Sequence, residues 1–125
     1  MNSSITMLTP PPYTAEQQAA NREKWIEALE SGEYKQAQNT LRKDDKFCCL
    51  GVACDINGIG HWENGSYFVG KLEYHATLPY QVKDWLGLRT PAGHGKEFSL
   101  SYYNDNGSTF QEIAEMLRKN DLLFY

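Results

Sequence analysis

The sequence predicts a small α+β domain of about four short helices with one or two β-hairpins, preceded by an extended arm. Three observations carry that prediction. Thr14-Ala15-Glu16-Gln17 and Ser108-Thr109-Phe110-Gln111 both have the capping-box pattern that starts a helix. Asn64-Gly65 lies between aromatic-bearing flanks, and both residues tolerate the positive φ of a tight hairpin turn. The run from Phe47 to Ile56 is almost wholly apolar and holds all three cysteines, so it belongs in the core.

The totals bound the answer. A chain of 125 residues suffices for one domain with a genuine core. An apolar fraction of 41%, with three Trp, eight Tyr and five Phe, fits a folded globule. The net charge is −4. The nearest approach to a basic patch, Arg42-Lys43-Asp44-Asp45-Lys46, is diluted by its own acids, so general nucleic-acid binding is disfavoured. No apolar stretch is long enough to span a membrane, and no secretory signal is visible. An odd cysteine count in so short a run favours a reducing, cytoplasmic setting.

Residues 1–13 contain Thr9-Pro10-Pro11-Pro12, which favours an extended polyproline arm, leaving 14–125 as the globular domain. From Thr14 a helix runs to about Ser31 and stops at Gly32, with Trp25, Ile26 and Leu29 on one face. Tyr34 to Leu41 is polar and assigned to no element. Asp44-Asp45 reads as a turn, with Asp45 able to cap a helix from about Lys46 to Asn57, closed by Gly58. A buried strand is the competing assignment for that run. Leu78-Pro79 opens a short helix, with proline at its first position, ending at Leu86 before Gly87. Val82, Trp85 and Leu86 form its buried side. Arg89 to Lys96 is a loop. Phe98, Leu100 and Tyr102 alternate as a short strand does. Asn104-Asp105-Asn106-Gly107 is a turn. The last helix carries Phe110, Ile113, Ala114 and Leu117 on one face, with Arg118-Lys119 near its negative end.

Candidate chemistry is sparse. A thiolate at a helix N-terminus is stabilised by unpaired N–H groups, so Cys48 or Cys49 is a candidate nucleophile, with His75 or His94 as base. The bland alternative, three small core residues, is favoured because free cysteine is usually buried and inert. The cysteine spacing does not fit structural zinc. The Asn104–Gly107 segment resembles a calcium loop, but places Tyr102 and Ile113 where acids belong. No cofactor is implied. Aromatic side chains offer stacking surfaces, among them Trp62, Tyr67, Phe68, Tyr74 and Tyr80. Tyr102 and Tyr103 beside Asn104 and Asp105 combine stacking with hydrogen bonding, and with Trp62 they make a candidate ligand or partner surface. Arg89 and Lys96 head the cations, together with Lys71 and Arg118, that would hold an anion.

Three segments carry a family resemblance: Trp25 to Gln36, Phe47-Cys48-Cys49-Leu50-Gly51-Val52, and Asn104 to Phe110 with Glu112-Ile113-Ala114. From about Trp25 to Arg118 the chain resembles a family of small bacteriophage and prophage proteins, mostly uncharacterised. The resemblance supplies no catalytic residues. It implies a bacterial host cytoplasm and an accessory role. By analogy with other accessory phage proteins, that role is counter-defence, by binding a host defence protein or sequestering a nucleotide-type signal. A nucleotide pocket in so small a domain is expected between subunits of a homo-oligomer. The competing reading is a small cysteine-dependent hydrolase or transferase.

Overall fold

The computed structural model describes residues 12–95 and 99–119. Among these are five helices and two small three-stranded sheets, a single small α+β domain. No helix of the described residues is long and apolar enough to cross a membrane. Residues 1–11 of the proline-rich arm, Lys96 and Phe98 lie outside the described residues.

Helix α1 (Ala15–Glu30) begins as its sequence dictates. Thr14 Oγ1 accepts from the Gln17 amide at 3.1 Å, and Gln17 Oε1 accepts from the Thr14 amide at 2.9 Å. Gly32, at φ 78°, turns the chain away after the helix. Trp25, Ile26 and Leu29 are buried, and Trp25 Nε1 donates to the Cys49 carbonyl at 2.8 Å.

The polar stretch after α1 forms a sheet of two-residue strands, β1 (Lys35–Gln36), β2 (Arg42–Lys43) and β3 (Lys46–Phe47). The central β3 pairs parallel to β1 and antiparallel to β2. Asp44, at φ 55°, makes the turn between β2 and β3. Because Lys46 and Phe47 are taken into β3, the next helix starts later than the sequence suggests. Helix α2 (Cys49–Asn57) has Cys48, not Asp45, as its N-cap. The Cys48 sulfur accepts from the Gly51 amide at 3.4 Å, and Gly58 closes the helix at φ 74°. The run is therefore a helix rather than a buried strand. A Cβ at Gly51 would run into the Leu41 carbonyl, so glycine lets α2 lie directly against the chain entering β2.

The second sheet is an antiparallel meander of β4 (His61–Glu63), β5 (Ser66–Val69) and β6 (Leu72–Tyr74). Asn64 and Gly65, at φ 51° and 82°, form the predicted two-residue turn. Helix α3 (Tyr80–Leu86) follows, with Pro79 as N-cap and Gly87 as its left-handed stop. Val82 and Leu86 are buried, whereas Trp85 is only half-buried. Three α1 side chains bond carbonyls at its end: Gln18 donates to Asp84 O, Asn21 to Trp85 O, and Arg22 to Leu86 O, all at 2.8–2.9 Å.

Where a strand was expected across Phe98, Leu100 and Tyr102, the described residues Leu100 and Tyr102 lie in helix α4 (Leu100–Asp105). Ser99 Oγ accepts from the Tyr102 amide at 3.0 Å and caps the helix; among the described residues nearby, the extended pairing is a single His94–Ser99 bridge. Helix α5 (Phe110–Lys119) is capped one residue later than predicted. Its reciprocal pair is Thr109 and Glu112, with bonds of 2.8 and 3.1 Å. Phe110, Ile113, Ala114 and Leu117 face the core as expected. Arg118 ties α5 to α1 through Glu23 and Glu30.

Candidate functional site

Cys48 and Cys49 sit at the N-terminal end of α2, and all three thiols are buried. Cys48 caps α2 and Cys49 is its first residue, with 5% and 0% exposure; Cys54 is also fully buried. Burial pushes the Cys48 thiol up to about 11, against the weaker pull of the Gly51 and Leu50 amides. Burial also drives Cys49 and Cys54 upward, reinforced by the neighbouring Cys48 sulfur. Cys49 Sγ points at the Leu100 carbonyl at 3.8 Å. The proposed bases are engaged elsewhere: His75 Nδ1 pairs with Ser66 Oγ at 2.9 Å, and His94 Nδ1 with Thr90 Oγ1 at 2.8 Å. Desolvation outweighs the helix N-terminus, and the nucleophile reading loses its geometric basis.

The Tyr102–Asp105 cluster is divided between surface and core. Tyr102 is 45% exposed, but Asn104 is fully buried. Asn104 Oδ1 accepts from Gln36 Nε2 and the Cys49 amide, at 2.9 and 3.1 Å, while Nδ2 donates to Ala37 O at 2.8 Å. Asp105 Oδ1 accepts from Asn104 and from the Asn39 amide. Asn104 is thus a junction joining α4, β1 and the start of α2, not a ligand-facing group. Tyr103 lines a shallow cavity of about 430 Å³ beside Met116 and Glu112.

A larger, polar cleft of about 660 Å³ lies where the two sheets meet. Its floor is built from main-chain contacts. The His75 carbonyl accepts from the Leu41 amide and from Thr40 Oγ1. Gly65 brings the β4–β5 turn against β2 so closely that an added Cβ would lie 3.1 Å from the Arg42 carbonyl. Arg42 and Lys43 supply positive charge on one wall, with Asp44 beside them. The Arg42 guanidinium lies 5.0 Å from the Phe47 ring centroid and 5.6 Å from that of Trp62. Its Nε donates to the Asp44 carbonyl at 2.7 Å. Trp62 is fixed in turn, since its Nε1 donates to Asp55 at 3.2 Å and its ring meets Phe47 edge-on at 5.6 Å. Ser66 and His75 also line the cleft.

Of the residues singled out in the sequence as site candidates, this cleft gathers Trp62 and His75, and His75 pairs there with Ser66 rather than with a cysteine. Arg89 is exposed after α3 and does not line it. Arg42, Lys43, Asn64 and Ser66 were missed as a site. The charged pentapeptide and the Asn-Gly turn were each visible, but nothing local says that they face one another.

A small α+β domain with a buried cysteine core and an open, partly cationic cleft is the class of protein these features define. The chain belongs to the family described as Domain of unknown function (DUF8296), whose model matches residues 17–121. No curated protein and no solved structure matches it.

Proposed function

We propose that this is a phage-encoded accessory protein that acts by binding, and that it sequesters a compact nucleotide-type ligand belonging to a host defence system. The cleft between the two sheets carries the binding part of this reading. Its volume of about 660 Å³ falls within the usual range for small-molecule sites, and it combines cations, hydroxyls and an aromatic wall. It is built within a single chain. Buried, protonated thiols without a histidine partner favour binding over cysteine chemistry. The phage and counter-defence parts rest on the resemblance across the Trp25, Cys48-Cys49 and Asn104–Phe110 segments.

The test is native mass spectrometry of the purified protein after incubation with lysate from infected, defence-active cells. The expected result is a discrete small-molecule addition whose fragments include a nucleobase. A protein-sized addition would move the reading to a host-protein target. Absence of either addition, with labelling of native thiols by iodoacetamide, would return it to cysteine chemistry.

A further inference from the structure

Ser66 and His75 are the part of the cleft that simple anion binding does not require. Ser66 is 5% exposed, yet its Oγ meets His75 Nδ1 at 2.9 Å on the cleft wall. The His75 side chain is 68% exposed, so Nε2 is open to a ligand. Arg42 and Lys43 line the same cleft. Arg42 is held by its ring contacts and its Nε bond; among the described residues its terminal nitrogens have no protein partner. A guanidinium held this way, with its two amino groups free, suits the paired oxygens of a phosphate.

Resting on the binding reading above, we infer that the cleft is a phosphodiester site in which Arg42, Lys43 and His75 together hold the anion, so that binding takes up a proton at His75. The charged groups around His75 are Glu73 from β6, at 3.6 Å, Glu63 of β4, the cross-strand partner of Ser66, and Arg42, Lys43 and Asp44 of the same cleft. The β4–β5 turn and Thr40 present only neutral groups. When His75 is protonated, Nδ1 donates to Ser66 Oγ. The Ser66 hydroxyl proton is then free to point into the cleft, and Nε2–H offers a second donor. One protonation adds a charge and sets two donors toward the ligand. A neutral imidazole supplies at most one of these, depending on its tautomer. Asp44 opposes the ligand, so the net gain comes from the three cations acting together.

Calorimetric titration with cyclic AMP and cyclic di-AMP tests this, because a diester keeps its charge where histidine titrates. Adenosine is the uncharged control. Affinity for a diester is expected to rise about five- to tenfold from about pH 8 to about pH 6, with proton uptake seen as a dependence on buffer ionisation enthalpy. His75→Gln should keep the weaker binding and abolish the pH dependence. Arg42→Met should weaken binding about ten- to a hundredfold at every pH. Lys43→Gln, at an exposed position, gives a second loss in the same direction and guards against misfolding of the Arg42 variant. Diester binding that does not respond to pH, adenosine binding as tightly as the diesters, or no binding of either diester would each overturn the inference. A small-molecule capture from lysate that survives Arg42→Met would also overturn it, while leaving the binding function intact.

Discussion

The β2–β3 hairpin and the helix that follows it are neighbours in sequence and opposites in fate. Arg42, Lys43 and Asp44 line an open cleft, whereas Cys48, Cys49 and Leu50 are buried behind them. The reactive-looking residues are buried, and the ordinary charged residues line the open cleft. A reactive group needs access and a partner, and the cysteine run has neither. The comparison also separates two kinds of variant. Changes behind the hairpin should cost stability, and changes on it should cost binding.

The largest effect is expected at the joint between the two regions. Gly51→Ala drives a methyl into the Leu41 carbonyl and should destabilise the fold by roughly 3 kcal/mol or prevent folding, measured by urea denaturation. Asn104→Ala comes next. It strands the Cys49 amide and the Ala37 carbonyl, and should cost about 2–3 kcal/mol in the same assay. An Asn104 variant of native stability would show that the junction is dispensable.

The thiols predict a pH dependence. Cys48 is raised by burial from its ordinary 9.0 to about 11, so the unfolded chain releases its proton before the folded one does. That contribution is intact below pH 9.0 and is lost as pH rises toward about 11, with Cys49 and Cys54 shifted in the same direction. Thermal melts across that window should show falling stability, with a shallower fall in Cys48→Ala. The smallest effect belongs to Arg118→Gln. Its bonds to Glu23 and Glu30 are exposed, so the change should be slight at low salt and vanish at high salt.

Local signals made much of the fold legible. The cap of α1, the apolar face of α5 and the Asn64-Gly65 turn are each written within a few residues. The β1–β3–β2 sheet was not legible, because two-residue strands carry no periodicity and their pairing is set by distant contacts. Alternation of Phe98, Leu100 and Tyr102 mimicked a strand, and the Ser99 cap sets Leu100 and Tyr102 in a helix instead. The candidate site was the least legible part. Trp62 stood out as an aromatic, but its position against Arg42 depends on the meeting of two sheets. Asn104 looked like a surface turn residue because its neighbours are polar. Its burial follows from the packing of α4 against β1 and α2, which no local pattern records.

The most direct test of the central claim is native mass spectrometry of three proteins exposed to the same infected-cell lysate: wild type, Cys49→Ala and Arg42→Met. The cleft account predicts the same small-molecule addition on wild type and on the folded cysteine variant, and its loss from folded Arg42→Met. Retention by the arginine variant together with loss from the cysteine variant would contradict it, and would place the functional centre at the helix end behind the hairpin.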